Sequence, residues 1–212
     1  EREKNMKFNE NLSDDIIKLL ELPHQGNTNK PNVGIIREVG SNGDKEMAAA
    51  FYEAGFNVFD ITMKELCKTD GKMLEDLNGI AFVGGFSFSD VCGSAKGWAE
   101  VIRSNDKLFE SFNDFYNNEN KFAFGVCNGC QLMVELGWIC NRNCKLVNNE
   151  SNIFECRFPQ VKIQKTNNIF TKNMEGMIFN IWSAHGEGKF VFDNSNENIE
   201  GIDASTDNIS LK

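Results

Sequence analysis

The chain has 212 residues, 41% apolar and 25% charged, and its 22 basic against 31 acidic side chains leave a formal net charge of −9. That composition is globular rather than disordered, one sizeable core is the default at this length, and the negative balance argues against nucleic acid or an anionic membrane as partner. No apolar run is long enough to span a membrane, the charged opening EREKNMKFNE lacks the apolar stretch of a secretory signal, and seven irregularly spaced cysteines make no disulfide framework, so a reducing, cytosolic compartment is expected.

Residues 1–32 read as an appendage. Residues 14–22 (DDIIKLLEL), with Ser13 as N-cap, predict a short amphipathic helix. The polar, turn-rich stretch 22–31 reads as a linker, and His24 within it as a solvated loop histidine. Residues 33–36 (VGII) then open a domain as a short buried strand, followed by a loop, 37–43, that carries Arg37 and Glu38. Residues 44–54 are rich in helix formers and close on Gly55, and 56–61 (FNVFDI) form a second strand. This alternation is the grammar of a parallel sheet with helices on both faces, in which the loops after strand carboxyl ends gather functional groups. A third strand at 79–83 runs into Gly84-Gly85-Phe86-Ser87-Phe88-Ser89-Asp90. The two glycines permit a turn that aims an N–H outwards, although an ordinary tight turn would use them too. Helices are expected at 94–103 and 105–117.

Residues 122–137, FAFGVCNGCQLMVELG, change from a buried strand to a helix at Cys127. Gly125 and Gly129 bracket the cysteine two residues to either side, the thiol form of the G-x-S-x-G nucleophile elbow. A helix starting there turns its unpaired N–H groups and positive dipole end towards the sulfur, which favours thiolate. It also offers the Asn128 N–H to an oxyanion formed by attack of that sulfur. Two other readings stand beside this one. Cys127 could be a small core residue, or Cys127, Cys130, Cys140 and Cys144 could form a zinc knuckle.

After Gly137 the sequence turns polar and irregular as far as Asn152. Residues 154–164 and 177–182 then alternate as strands, extending the sheet or forming a side ribbon. Ser183-Ala184-His185-Gly186-Glu187-Gly188 reads as a loop and 189–192 as a last short strand. On residue types alone, His185 and Glu187 are the candidate proton carrier and its carboxylate.

Three of these segments together, 84–90 (GGFSFSD), 125–131 (GVCNGCQ) and 182–188 (WSAHGEG), resemble the class I glutamine amidotransferase family. Within it they are most similar to the glutaminase domains of large, single-chain phosphoribosylformylglycinamidine synthases, and segments 37–48 and 93–99 look like the eukaryotic versions. The resemblance runs from about residue 33 to 192. It implies a three-layer α/β fold with a mostly parallel central sheet flanked by helices, flavodoxin-like in type. It further implies that Cys127 attacks the side-chain amide of glutamine, giving a γ-glutamyl thioester and ammonia. Gly85 and Asn128 match the oxyanion donors, and Gly84, Gln131 and His185 fall in the glutamine site.

By the same resemblance this domain holds no cofactor or metal. ATP and Mg belong to a synthetase domain of the same polypeptide, which uses the ammonia to amidinate formylglycinamide ribonucleotide in purine synthesis. Residues 1–32 match the segment joining the two domains, and 33–212 the amidotransferase domain. The family takes its triad histidine and glutamate from a His-Pro-Glu motif that this sequence does not contain, so the domain is expected to lack its carboxyl end. His185 then belongs to a pocket loop instead of the triad. A catalytically silent docking module is the alternative reading.

Overall fold

The computed structural model describes residues 30–93, 95–139, 144–165 and 167–192, with the backbone of two short strands at 202–203 and 208–209. The expected helix at 14–22, His24 and Cys140 lie outside the described residues. The chain divides into two units, Glu1–Leu132 and Met133–Lys212.

The first unit is built on β1 (Asn32–Arg37), β3 (Asn57–Thr62), β4 (Gly79–Phe82) and β6 (Phe122–Gly125), with a two-stranded ribbon of β2 (Ser41–Asn42) and β5 (Gly84–Gly85). The four longer strands form one parallel sheet in the order β3-β1-β4-β6. Counted along the chain this is 2-1-3-4, the flavodoxin-like order, whose switch point lies between β1 and β4 at their carboxyl ends. The four strands expected for this sheet are present, each within a residue of its predicted limits. They are legible because strands covered on both faces read as short apolar runs. Val33, Ile35, Ile36, Ile80, Ala81 and Phe82 are all buried.

Register decides which helix covers which face. Phe122 pairs with Gly79 and Phe124 with Ala81, so these four share one face, and Ile80 and Phe82 point to the other. On the first face Phe51, from α1 (Asp44–Glu53), packs against Phe122 and Phe124, both at 6.1 Å between ring centroids, and Phe56 packs against Phe51 at 5.3 Å and Phe122 at 5.8 Å. The ring of Phe122 occupies the space a side chain at residue 79 would need, so Gly79 is required there. On the second face Phe82 meets Trp98 of α3 (Lys96–Arg103) at 5.7 Å and Phe112 of α4 (Asp106–Asn117) at 6.0 Å. Helices on both faces of a parallel sheet give the expected three layers. A ring pair of this kind adds about 0.5–1.5 kcal/mol beyond its buried area.

A short helix, α2 (Met63–Thr69), follows β3 and was not expected from the sequence. It begins with a capping box. Thr62 Oγ1 accepts from the Glu65 N–H at 3.3 Å, and the Glu65 carboxylate accepts from the Thr62 N–H at 2.9 Å and its hydroxyl at 2.7 Å. Arg37 and Asp60 clamp the carboxyl ends of β1 and β3 with two bonds of 2.6 and 2.9 Å. Arg37 therefore pairs across the sheet, while Glu38 turns back to accept from the Val39 N–H.

In the second unit β8 (Glu155–Arg157) pairs with β11 (Ser183–His185), and β9 (Gln160–Lys162) with β10 (Ile178–Asn180), all antiparallel. The expected strands 154–164 and 177–182 thus form antiparallel pairs, the first interrupted once, and Ser183–His185, expected as loop, is instead a strand because it pairs with Glu155–Arg157. Pro159 has no N–H for the ladder, so the predicted continuous strand 154–164 breaks there. The Pro159 carbonyl still accepts from the Ile181 N–H at 3.0 Å. Phe158 and Trp182 stack across the break, with centroids 4.6 Å apart. A strand missing from the sequence reading, β7 (Cys144–Val147), lies in the polar stretch and pairs with β12 (Lys189–Phe192). No helix among the described residues is long and apolar enough to cross a membrane.

The capping box predicts a pH-dependent increment of stability. Hydrogen bonds from Thr62 hold the Glu65 carboxyl below its ordinary value of 4.5. A lowered carboxyl contributes stability above its ordinary value and loses it as pH falls through the folded one. Thr62→Ala should cost about 1 kcal/mol at pH 7. Urea unfolding at pH 7 and pH 3 checks this: the difference between variant and parent should narrow at pH 3.

Candidate active site

Three segments meet at the carboxyl end of the sheet. The first is the loop after β1, whose Gly40 carbonyl accepts from the Phe86 N–H at 2.9 Å and whose Val39 carbonyl accepts from the Phe88 N–H at the same distance. The second is the run from β5 through Asp90. The third is the turn from β6 into α5 (Asn128–Glu135).

Cys127 sits on that third turn in the left-handed region, at φ +54°. A residue with a Cβ pays about 1–2 kcal/mol for this conformation, and here it turns the thiol out of the strand line. Cys127 is exposed, while Asn128 and Gly129 behind it are buried. The core-cysteine reading is thereby overturned. The turn is tight because α5 starts hard against β4. A Cβ on Gly129 would collide with the Phe82 carbonyl, so only glycine fits. The Val126 N–H donates to that same carbonyl at 3.2 Å, and the Gly129 N–H donates back to the Val126 carbonyl at 2.9 Å.

The second glycine pair approaches from β4. A Cβ on Gly84 would lie 3.2 Å from the Cβ of Cys127, so the two motifs converge as the sequence predicts. Gly85, at φ +96°, is pressed against Ser41 and Asn42, where a side chain would clash with their backbone. Beyond it Phe88, Ser89 and Asp90 are all left-handed, at φ +52°, +55° and +53°. Three such residues in a row are not a relaxed turn, and the sequence reading gave no sign of them. The Val39 carbonyl holds this run at one end, and Asp90 Oδ1 accepts from the Ala95 N–H at 3.2 Å at the other.

Behind the elbow lie three buried polar side chains, Ser87, Asn128 and Gln131. Asn128 Oδ1 accepts from the Ser87 hydroxyl at 2.7 Å and from the Ser87 N–H at 3.2 Å, and Asn128 Nδ2 donates to Gln131 Oε1 at 3.0 Å. Asn128 opens α5, where the first backbone N–H groups have no acceptor four residues back; those of Gly129 and Gln131 turn to the Val126 and Cys127 carbonyls at 2.9 and 3.1 Å. Sequence reasoning identified Asn128 through its backbone N–H and missed its side chain and Ser87 altogether.

In the second unit, His185 ends β11 and is half-buried. Its carbonyl accepts from Asn149 Nδ2 at 2.6 Å, and its Nδ1 accepts from the Glu187 N–H at 2.8 Å. An Nδ1 that accepts this N–H carries no proton of its own, so in a neutral His185 the ring proton is on Nε2. The tempting His-x-Glu spacing thus serves a turn.

Reactivity should follow this geometry. An electrophilic glutamine analogue should label Cys127 ahead of Cys92 and Cys156, which are also exposed but do not open a helix at a strand end. Cys67 should lag further, since burial and the nearby Glu38 push its thiol up. Peptide mapping after brief labelling reads the order directly, and equal labelling of Cys92 and Cys127 would show that the elbow confers nothing.

Comparisons with known proteins give the family. Residues 30–206 match the model of the CobB/CobQ-like glutamine amidotransferase domain. A phosphoribosylformylglycinamidine synthase of Dictyostelium discoideum is 48% identical over 166 residues, covering 76% of this chain and 12% of that protein. An Arabidopsis thaliana protein, named a probable phosphoribosylformylglycinamidine synthase, chloroplastic/mitochondrial, is 46% identical over 190 residues, covering 82% of this chain and 13% of that one. The chain thus spans about an eighth of the length of these relatives. Among solved structures, a chain of PurLQS from Thermotoga maritima shares the fold with a TM-score of 0.64 at 24% identity, covering 78% of this chain and 71% of that one. A chain that folds its cysteine elbow and double glycine onto a flavodoxin-like sheet, and that matches this model over most of its length, belongs to the CobB/CobQ-like glutamine amidotransferase domain family.

Proposed function

We propose that this domain hydrolyses glutamine within a phosphoribosylformylglycinamidine synthase and supplies ammonia to the synthetase part of the same polypeptide. The observation that carries the reading is the approach of Gly84 to Cys127 at the head of α5. It puts a nucleophile between two backbone segments able to stabilise an oxyanion. In this reading Cys127 Sγ attacks the side-chain amide carbon of glutamine, and its carbonyl oxygen becomes an oxyanion held by the Asn128 and Gly85 N–H groups. The C–N bond then breaks, a proton goes to the departing nitrogen, and ammonia leaves a γ-glutamyl thioester. Water attacks the thioester through a second oxyanion, releasing glutamate and restoring the thiol.

Both steps need a group that takes and returns a proton. We assign it to the family's His-Pro-Glu motif, which this sequence does not contain, because His185 Nδ1 is already committed to the Glu187 N–H. Gly84 and Gln131 belong in this reading to the glutamine site, and the family resemblance implies a glutamine-binding role for His185. The ammonia serves ATP-dependent amidination of formylglycinamide ribonucleotide, with ATP and Mg bound in the synthetase part. A nucleophile that must stay a free thiol suits a reducing compartment, and we place the protein in the cytosol.

Ammonia supplied from solution separates this function from its alternatives. In the intact polypeptide, Cys127→Ala should abolish amidination driven by glutamine, by a thousandfold or more, and leave amidination driven by added ammonium salt unchanged. Loss of both activities would point to a docking role for the domain. Retention of glutamine-driven activity would remove Cys127 from the chemistry.

A further inference from the structure

The buried polar chain behind the elbow has a direction that fixes every atom in it. The Ser87 N–H can only donate, so the Asn128 atom facing it is the oxygen, at 3.2 Å. The same oxygen takes the Ser87 hydroxyl proton at 2.7 Å. Asn128 Nδ2 therefore faces Gln131, which must present Oε1, at 3.0 Å. With Ser87 and Asn128 1% exposed and Gln131 2%, water does not compete for these bonds. A satisfied polar chain at such depth adds specificity of position more than raw stability, since an apolar core of the same shape would serve stability as well.

The two segments it joins are the two that carry the oxyanion donors. Ser87 lies two residues beyond Gly85, and Asn128 follows the nucleophile directly. Each segment also holds left-handed residues that would relax if released: Phe88, Ser89 and Asp90 on one side, Cys127 on the other. Backbone bonds tie the loop to Val39 and Gly40. The Asn128 side chain ties it to the elbow.

We propose that Ser87 is a positioning residue for thioester formation: through Asn128 Oδ1 it holds the Gly84-Gly85 loop in register with the Cys127 elbow, so that both oxyanion donors address one oxygen. Gln131 completes the clamp from below by fixing the Asn128 amide plane. Its contribution to the glutamine site is then indirect. The proposal rests on the glutaminase reading and names a residue that reading does not use.

The test compares Ser87→Ala and Ser87→Thr in the intact polypeptide by two reactions of the same thiol. Glutamine hydrolysis needs the oxyanion donors, whereas alkylation of Cys127 by iodoacetamide is a displacement at a saturated carbon and needs none. Ser87→Ala should lower kcat for glutamine hydrolysis by on the order of ten- to a hundredfold, with KM within about twofold and the alkylation rate unchanged. Ser87→Thr, which keeps the hydroxyl, should recover most of kcat. An unchanged kcat in Ser87→Ala overturns the proposal. So does a fall in both reactions together, because that marks Ser87 as a support for folding alone. Should the parent protein release no ammonia from glutamine, the glutaminase reading fails first and the proposal falls with it.

Discussion

The structure of the first unit depends on one close approach, that of the start of α5 to the end of β4. The Phe82 carbonyl lies where a side chain on residue 129 would have to be, and the same carbonyl receives the Val126 N–H. With the strand and helix this near, the connecting residue has no room to continue in an extended conformation. Cys127 takes the left-handed turn as a consequence. The strain falls on the residue whose side chain must project, and neighbouring groups over-determine the turn, as strained sites require. Phe82 has two functions here. Its carbonyl sets the elbow, and its ring joins Trp98 and Phe112 in the layer that holds β4 in place.

From that contact the site assembles with few further requirements. β4 runs on into Gly84-Gly85, and the absence of side chains lets this segment pass both Cys127 and the Ser41-Asn42 backbone. The parallel sheet order brings the loops after β1 and β4 to the same end, where the strand order reverses. Function in this architecture is a property of loops positioned by a rigid sheet. The sheet here contributes chiefly buried, unreactive side chains.

Much of this was legible in the sequence, for identifiable reasons. Buried parallel strands announce themselves as apolar runs, and Gly129 after Cys127 marks a place where backbones come close. Other features were hidden. The helix at Met63–Thr69 is short, and its signal in the sequence is the capping box alone, Thr62 with Glu65. The strand Cys144–Val147 is four residues in an asparagine-rich stretch, too short for alternation to register. Pro159 should have divided the strand predicted at 154–164, since a proline cannot donate to a ladder. Ser87 was invisible for a deeper reason. A serine in a glycine-rich loop usually faces water, and only the fold shows that this one is buried on the Asn128 amide. The His185–Glu187 spacing was legible, but its local contact, the Glu187 backbone N–H on His185 Nδ1, was not.

The central claim is that Cys127 forms a covalent bond with glutamine at this elbow. Mixing the intact polypeptide with glutamine, quenching in acid within the first turnover and mapping the peptides by mass spectrometry tests it most directly. A γ-glutamyl group on the peptide containing Cys127, absent from Cys92 and Cys156 and lost on longer incubation, is the predicted result. Ammonia released with no adduct on Cys127 at any quench time, or an adduct on another cysteine, would contradict the account.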